Sequence, residues 1–427
     1  MLIRSDEIAR AALQAARELS SSMTRMARAE AEHGTRPFAR LSKDAAEEFR
    51  NADRGFRREF DTGDSSRSRT AHPDRPAEGP SGGSGGAPPP RSRPSDPYPK
   101  IELHVHLEGT IRPKTLLDMA RRNGVVLPVD NVEALSEMYQ YRDFNHFLEM
   151  WRTTTGTMRT EDDFRQAVID YAREAKSHGV EYIETTFSPI NRNKWDGIPY
   201  PAMFNGVADG ITAAAERYGV TVRAMPSMIW GGPPDLAEEC AKWAVRYRER
   251  GIVGLDAGGN ELGRGDVSQF DRAVAIARDG GLGIVPHAGE AGGVQAIRDV
   301  LRWDPDGLQH GIAAASDPAL MAELVDRGIV LRVTPTSNVG TRVVGDIAEH
   351  PLPRLHEAGV RCSIGTDDPA LFDTTLGQEY ELAEQLGISP ASAYRAGVDG
   401  ALCDDAIRQQ LHEVGEAAFG DPRDRVA

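Results

Sequence analysis

The stretch Ile101-Glu-Leu-His-Val-His-Leu107 is the first of eight short apolar runs that alternate with longer amphipathic segments. The other seven runs are 180–187, 220–228, 252–257, 282–287, 307–310, 329–335 and 360–366. Most of them precede a segment with helical spacing of its apolar residues, such as 161–177, 203–218, 234–250 and 266–279. Strands that alternate with helices predict an α/β fold with a parallel sheet, and eight such units predict a closed (β/α)8 barrel of the TIM type.

An open doubly wound sheet is the rival architecture. No G-x-G-x-x-G turn follows the first run, which argues against the usual nucleotide-binding version of that fold. Polar residues with metal-ligand chemistry instead recur at the C-terminal ends of several runs, and in a (β/α)8 barrel those ends meet at one mouth. The pattern therefore favours the barrel, with a single metal ion at its C-terminal mouth.

The residues before Tyr98 differ in composition from the rest of the chain. Residues 63–97 are rich in Gly, Pro, Ser and Arg, which predicts a disordered linker. Residues 1–62 form an N-terminal extension, and the pattern over 5–32 predicts one helix within it. A regulatory or oligomerising role for this helix and a misplaced start codon are both open. We expect residues 98–427 to form the catalytic barrel without help from residues 1–97.

The composition limits the class of partner. The net charge is −15, and residues 1–97 hold 17 basic and 15 acidic residues, so the acidic excess lies in the predicted barrel. An acidic body argues against a nucleic-acid partner and favours a small neutral or cationic molecule. The chain has no apolar stretch of membrane-spanning length and no secretory signal pattern, which predicts a cytoplasmic protein without a membrane partner. Three widely spaced cysteines fit a reducing compartment, and the oligomeric state stays open.

Four short motifs contain the residue types that a one-metal hydrolase needs. They are His104-Val-His106, His287-Ala-Gly-Glu290, His310-Gly311 and Thr366-Asp-Asp-Pro369. Side chains i and i+2 of a strand share a face, so the first motif can hold one ion with two imidazoles. Taken singly, His287 could be an ordinary core histidine and Asp367 a helix cap. For the motifs to have no function, all such interpretations would have to be true at once. Together, three histidines and a carboxylate make a zinc-like ligand set, and a Glu, a His and an Asp are left for proton transfer and substrate contact.

These motifs, together with Lys100–Thr110 and Thr334-Pro-Thr-Ser-Asn-Val339, resemble the signature of the adenosine deaminase family within the amidohydrolase superfamily. The resemblance runs in order from about residue 98 to 390. It implies one zinc ion per chain, with ligands His104, His106, His287 and Asp367. It also implies two catalytic residues, Glu290 as the acid at purine N1 and His310 as the residue that orients the hydroxide. The implied substrate contacts are Asp368 to N7 and Gly259, through its backbone, to N3.

The activity that the resemblance implies is zinc-dependent hydrolytic deamination of adenosine or an adenosine-like 6-aminopurine nucleoside, with release of ammonia. The alternatives are a deaminase of adenine, of aminodeoxyfutalosine or of another modified adenosine, and a non-catalytic nucleoside-binding protein on the same fold. The chain departs from the family pattern at Glu108, where an Asp usually contacts the ribose, and its His-Leu-Glu-Gly-Thr form is similar to that of adenine deaminases. It also departs at Thr186, where an Arg is usual, and at Thr334, where a Cys is usual. Glu108 remains a candidate substrate contact, and all three departures bear on specificity.

The segment Tyr141–Trp151 resembles the family's substrate-gating region. Phe144, Phe147 and Trp151 are its candidate lid residues. Their i, i+3 and i+7 spacing is also typical of ordinary helix packing, so both interpretations stay open.

Overall fold

A computed structural model describes residues 98–420 of the 427 in the chain. The predicted N-terminal extension 1–62 and linker 63–97 lie outside the described residues, so both stay predictions. Among the described residues, no helix is both long enough and apolar enough to span a membrane.

The described residues form nine short strands, and neighbouring strands pair in parallel. They are β1 Lys100–His106, β2 Val180–Phe187, β3 Thr221–Ile229, β4 Gly254–Gly258, β5 Gly283–Ile284, β6 His287–Ala288, β7 Gly307–His310, β8 Val330–Val333 and β9 Cys362–Ile364. β5 and β6 occupy a single strand position, because only Val285 and Pro286 separate them and proline has no N–H for a ladder. All eight predicted runs coincide with a strand position.

The strands follow one another in chain order, from β1 to β5 and from β6 to β9. The chain beyond β9 then returns to β1, where Asp367 pairs with Val105 in a parallel bridge. The Asp367 N–H donates to the carbonyl of His104 at 3.0 Å, and the His106 N–H donates to the carbonyl of Asp367 at 2.7 Å. These bonds join the last strand position to the first. The predicted (β/α)8 architecture is confirmed, and the open sheet is not observed.

Fifteen α-helices of the described residues accompany the strands. They are α1 Pro113–Arg122, α2 Val132–Met138, α3 Phe144–Thr155, α4 Glu161–Ser177, α5 Pro189–Asp196, α6 Tyr200–Tyr218, α7 Pro234–Arg246, α8 Asp271–Asp279, α9 Gly293–Val300, α10 Pro318–Asp326, α11 Pro335–Gly340, α12 Leu352–Glu357, α13 Leu376–Gln385, α14 Pro390–Gly400 and α15 Asp405–Phe419. The predicted helix 234–250 ends earlier than expected, at Arg246, and a 3-10 turn Arg248–Arg250 follows it. The predicted helix 266–279 begins as the 3-10 turn Val267–Phe270, because the Asp266 carboxylate accepts the Ser268 N–H and closes a tight turn there.

The alternation of side chains along β1 positions the functional site. Ile101 and Leu103 pack in a core cluster with Tyr394 and Val398 of α14, outside the barrel. The residues at the alternate positions of the strand, which include His104, therefore face the barrel interior. The strand is buried on both sides, as is expected of a parallel strand covered by helices.

Candidate metal centre and active site

Five of the predicted site residues come from four strand positions at one end of the barrel. His104 and His106 belong to β1, His287 begins β6, His310 ends β7, and Asp367 follows β9. His106 is the most exposed of the five side chains, at 15%, and the others are buried. The fold thus brings together residues that are up to 263 positions apart in sequence, as predicted from the shared mouth of a barrel.

The Nε2 atoms of three histidines converge on one point. Nε2 of His287 lies 3.2 Å from Nε2 of His104 and 3.2 Å from Nε2 of His106. Oδ1 of Asp367 lies 3.0 Å from Nε2 of His106 and 3.6 Å from Nε2 of His104. One ligand atom from each of these four residues lies within 4.8 Å of the others. These are the four residues that the sequence predicted as metal ligands, and the fold brings them together.

The opposite ring nitrogens identify the tautomers of these three histidines. Nδ1 of His104 lies 2.8 Å from the carbonyl of Arg332, and Nδ1 of His287 lies 2.9 Å from the Asp256 carboxylate. Nδ1 of His106 lies 2.8 Å from the hydroxyl of Thr186, which itself donates to a backbone carbonyl. Each Nδ1 therefore carries the proton, and each Nε2 presents a lone pair to its neighbours. Lone pairs that face one another repel unless a positive charge lies between them. Although burial opposes it, the carboxylates of Asp368 and Asp367 raise the pKa of His106 to about 10, which likewise indicates a point that favours positive charge, so the donor set fits a metal ion.

Asp367 completes this set as an ionised carboxylate. Burial opposes its ionisation, but positive charge at the Nε2 side of His104 and His106, which Oδ1 faces, outweighs burial and holds the pKa of Asp367 well below its usual range. Its Oδ2 accepts a hydrogen bond of 2.6 Å from the Ser337 hydroxyl, which leaves Oδ1 toward the imidazoles. A carboxylate oriented in this way matches the fourth ligand of a zinc site.

The backbone is strained at two of the site residues. His310 has a φ of 60° and Asp367 a φ of 64°, in the left-handed region that side chains other than glycine seldom adopt. Such a conformation costs about 1–3 kcal/mol and persists only where the surroundings enforce it. Both residues stand at the end of a strand position, where the chain turns sharply out of the barrel. The strain is localised where the side chains must face the mouth.

Glu290 and His310 lie together beside the four-residue set. Nε2 of His310 is 3.4 Å from Oε2 of Glu290 and 3.8 Å from Oδ2 of Asp367. Burial, and then the negative charges of Asp367 and Glu261, raise the pKa of Glu290 well above its usual range. Burial lowers the pKa of His310 to about 3. Burial thus favours the protonated form of Glu290 and the uncharged form of His310.

Asp368 turns away from Asp367 and meets the predicted lid. Its Oδ1 accepts a hydrogen bond of 3.0 Å from the indole Nε1 of Trp151, in α3. Burial, and to a lesser degree the charge of Asp367, raises the pKa of Asp368 well above its usual range. Phe147 and Trp151 pack in one apolar cluster with Ala370 and Leu371, just after Asp368. The helix-packing interpretation thus holds, and gating by α3 stays a prediction.

Glu108 lies at the other side of the mouth, near Arg192. Its Oε1 accepts the Ser188 N–H at 2.8 Å, whereas its Oε2 is buried without a hydrogen-bond partner among the described residues. Burial raises the pKa of Glu108, and the Arg192 guanidinium opposes the rise. Nε of Arg192 is likewise buried without a partner in the described part of the chain. A buried polar atom without a partner calls for an explanation, and a ligand is one.

Gly259 follows β4 directly and is exposed at the mouth, with a φ of 95°. Among the amino acids, glycine adopts this conformation without strain. The position is compatible with the predicted backbone contact to a ligand, which stays a prediction.

Several contacts that shape the site were not predicted from the sequence. Asp256 and Thr186 hold the rings of two histidines, Ser337 holds Asp367, and Trp151 holds Asp368. Asp256 had a usable signal, since it stands two residues before the end of β4 and so shares a face with Gly258 at the mouth. No sequence signal could have identified the Arg332 carbonyl, because every residue supplies a backbone carbonyl.

Comparison with known proteins gives a consistent result. The sequence profile described as adenosine deaminase matches residues 99–414. An aminodeoxyfutalosine deaminase of Acidothermus cellulolyticus is 48% identical over 327 residues, which cover 75% of this chain and 91% of that protein. The structure of an adenine deaminase from Arthrobacter aurescens superposes with a TM-score of 0.70 at 28% identity, over 75% of this chain and 98% of that one. An amidohydrolase from Burkholderia ambifaria with bound zinc superposes with a TM-score of 0.67 at 26% identity, over 76% of this chain and 93% of that one.

Proposed function

The chain belongs to the adenosine deaminase family and is an enzyme that hydrolyses a carbon–nitrogen bond of a purine, and from that premise we propose that it removes the 6-amino group of an adenosine-like nucleoside. The observation that carries the proposal is the contact between two groups of residues. One is the set of three imidazoles and the Asp367 carboxylate, and the other is Glu290 beside it, whose pKa burial raises. The first group suits a metal ion, and the second suits an acid catalyst.

We propose that His104, His106, His287 and Asp367 hold one zinc ion per chain. The Nδ1 partners support this assignment, because each histidine has its Nε2 lone pair free. Zinc, when bound, lowers the pKa of water from about 15.7 toward about 7 and supplies hydroxide at neutral pH. The presence of bound zinc in a similar amidohydrolase supports the choice of metal.

Glu290 delivers a proton to purine N1 in this proposal. Attack at C6 requires an electron-poor ring, and protonation of N1 withdraws electron density from C6. A carboxyl group can donate that proton only if it is protonated near neutral pH. Its raised pKa, caused by burial and neighbouring carboxylates, supports this role. His310, 3.4 Å from Glu290, orients the attacking water.

Asp368 holds purine N7. That nitrogen is an acceptor, so its partner must donate, and burial favours the protonated form of Asp368 by raising its pKa. Because Trp151 donates to Oδ1, the proton of Asp368 belongs on Oδ2, which is then the donor to N7. The backbone N–H of Gly259 holds N3 at the opposite edge of the purine.

Glu108 favours a nucleoside over a free base. Its buried Oε2 and the Nε of Arg192 have no hydrogen-bond partner among the described residues. A ribose with its substituents supplies hydroxyl groups that can bind such atoms, and a bare purine lacks them. The relative with 48% identity is named an aminodeoxyfutalosine deaminase, so a modified adenosine of that type is the first candidate substrate. Adenine is the second candidate, because the most similar solved structure described above is that of an adenine deaminase. A binding protein without activity would not need both the ligand set and the acid.

Release of ammonia from a substrate panel tests the proposal. The zinc-loaded full-length protein is incubated with adenosine, 2'-deoxyadenosine, adenine, 5'-substituted adenosines and aminodeoxyfutalosine. We expect turnover of at least one nucleoside and weaker or no turnover of adenine. Turnover of adenine alone would replace the nucleoside proposal, and no release from any member in the presence of stoichiometric zinc would contradict the proposed reaction.

The Glu290→Gln variant tests the mechanism separately from the substrate. We expect it to retain zinc and to lose turnover by roughly 10²–10⁴-fold, the usual contribution of a positioned acid. The exposed Glu249→Gln variant is the matched control and should behave as the unmodified enzyme. Equal turnover in both variants would remove Glu290 from the mechanism.

A further inference from the structure

The four histidines at the mouth of the barrel divide into two kinds by what faces Nδ1. In His104, His106 and His287 this nitrogen faces an oxygen that accepts a hydrogen bond. In His310 it lies 3.2 Å from the side-chain amide nitrogen of Asn338, which can only donate. The Thr334 hydroxyl, also 3.2 Å from this Nδ1, is able to donate as well. Nδ1 of His310 thus faces hydrogen-bond donors, whereas Nδ1 of each of the other three histidines faces an acceptor.

The orientation of the Asn338 side-chain amide decides whether Nδ1 of His310 meets a donor or an acceptor. A fifth histidine, His350, determines that orientation. Oδ1 of Asn338 lies 3.2 Å from Nε2 of His350, a residue 12 positions further along the chain. The other ring nitrogen of His350, Nδ1, receives the backbone N–H of Leu352 at 3.1 Å. A backbone N–H can only donate, so Nδ1 of His350 is an acceptor. Burial lowers the pKa of His350 to about 4, so the ring is neutral and its one proton is on Nε2.

The direction of every bond in this series then follows. The Leu352 N–H donates to His350, the Nε2–H of His350 donates to Oδ1 of Asn338, and the amide of Asn338 donates to Nδ1 of His310. If the Asn338 amide were turned by 180°, its NH2 group would face the N–H of His350. Leu352, His350, Asn338 and His310 are exposed by 4% or less, so water does not replace any of these partners.

We propose that His350 and Asn338 are positioning residues that hold His310 as its Nε2–H tautomer, in a relay whose direction is set by the Leu352 backbone amide. This inference rests on the proposed function, since it assigns a purpose to the proton on Nε2. In this tautomer His310 presents an N–H to the mouth, near Glu290 and Asp367. It has no Nε2 lone pair for a metal, and it offers a hydrogen bond to the oxygen of the attacking water. The relay therefore separates the orienting histidine from the three ligand histidines.

The relay lies next to the residues that hold the proposed metal ligands. Asn338 lies in α11, which also carries Ser337, the residue that holds Asp367. The backbone of Asn338 is itself fixed, because its N–H donates to the carbonyl of Thr334 and its carbonyl accepts the N–H of Val344. His350 makes no contact with the four-residue metal set, so its effect on the reaction must pass through Asn338.

The first test inverts the last bond of the relay. The Asn338→Asp variant has nearly the same shape, but a carboxylate only accepts, so it should draw the His310 proton to Nδ1. The tautomer is read from two-bond 1H–15N correlations of the imidazole rings in the zinc-loaded, 15N-histidine-labelled full-length protein. The His310 signals are assigned by their loss in a His310→Gln spectrum. We expect Nε2–H in the unmodified protein, Nδ1–H in the variant, and a fall in kcat of roughly 100-fold, within the usual range for a misplaced proton donor.

A second pair of variants tests the far end of the relay and serves if Asn338→Asp does not fold. His350→Gln keeps an N–H near the position of Nε2 and should retain both the tautomer and most of kcat. His350→Leu lets the Asn338 amide turn, so both His310 tautomers should appear and kcat should fall more than KM changes. The exposed His356→Leu variant, in α12, is the control and should match the unmodified protein.

The outcomes separate this inference from the proposed function. An Nδ1–H signal for His310 in the unmodified protein, or an unchanged spectrum and kcat in both Asn338→Asp and His350→Leu, would overturn the relay even if a purine is deaminated. An Nε2–H signal that shifts in these variants would establish the relay even if no purine in the panel is deaminated.

Discussion

The indole Nε1 of Trp151 donates a hydrogen bond of 3.0 Å to Oδ1 of Asp368, and both side chains are buried. Trp151 belongs to α3, the predicted lid helix, whereas Asp368 directly follows the proposed ligand Asp367. This one bond connects the predicted lid helix with the carboxyl group that is proposed to hold the purine.

Substitution Trp151→Phe keeps the apolar contacts of the ring and removes the bond to Asp368. A net hydrogen bond contributes about 1 kcal/mol, so we expect kcat/KM to fall roughly five- to tenfold. Most of the change should appear in KM, because Asp368 is proposed to bind N7 in the ground state. Steady-state kinetics checks this, with Trp243→Phe as the control, since Trp243 stacks on Tyr200 away from the site. An equal effect in both variants would mean that general packing, not this bond, is responsible.

Gly109 leaves room for the Asp368 carboxyl group. A Cβ atom at position 109 would lie 2.6 Å from Cβ of Asp368 and would overlap its carboxylate. We therefore expect Gly109→Ala to displace Asp368 and to lower kcat/KM by about 100-fold, the cost of a displacement near 1 Å in an active site. Zinc content should stay near that of the unmodified enzyme. Gly345→Ala is the control, because the nearest atom there is the end of the flexible Glu349 side chain, at 3.3 Å. Normal kinetics in Gly109→Ala would show that the loop adjusts.

Asp256 holds the ring of His287 through a hydrogen bond of 2.9 Å to Nδ1. Substitution Asp256→Ala should weaken zinc binding about 10- to 100-fold, which is the usual effect of losing such a partner. Asp256→Asn retains an acceptor oxygen and should weaken it less. Competition with a chelator measures both affinities, and Asp209→Ala, which removes a surface ion pair with Arg250, is the control. An unchanged zinc affinity in Asp256→Ala would contradict the proposal that Asp256 holds His287 as a zinc ligand.

Glu379 predicts a dependence of stability on pH. Burial raises the pKa of Glu379 from 4.5 to about 7, because its two bonds from Thr336 and Thr374 do not offset the loss of water. The folded pKa is the higher one, so this group stabilises the fold fully below pH 4.5, and the contribution is lost as the pH rises through about 7. The loss amounts to a few kcal/mol, at about 1.4 kcal/mol per pKa unit.

The Glu379→Gln variant removes that titration. The difference in Tm between this variant and the unmodified protein should become more positive from pH 5 to pH 8. Thermal unfolding in excess zinc measures it. Glu381→Gln, an exposed substitution in the same helix α13, should show no such trend. A constant difference in Tm across the pH range would mean that Glu379 does not titrate in it.

The strand pattern and the ligand motifs were readable from the sequence because both are local. Buried parallel strands require continuous apolar runs, so the runs at 101–107 and 360–366 marked the first and last strand positions correctly. An H-x-H motif needs only the two-residue period of one strand to present both rings on one face. Helix ends were less accurate, as at Arg246, since they depend on caps and tertiary contacts.

What the sequence by itself determined is the order of the elements and the identity of the residues that reach the barrel mouth. Only the tertiary structure decided what each of those residues can do. The proton of His104 is placed by a carbonyl 228 positions away, and that of His310 by an amide 28 positions away. The raised pKa of Glu290 comes from burial, which is a property of the packed barrel. Tautomers and protonation states depend on partners brought close by folding, and no local pattern specifies those partners.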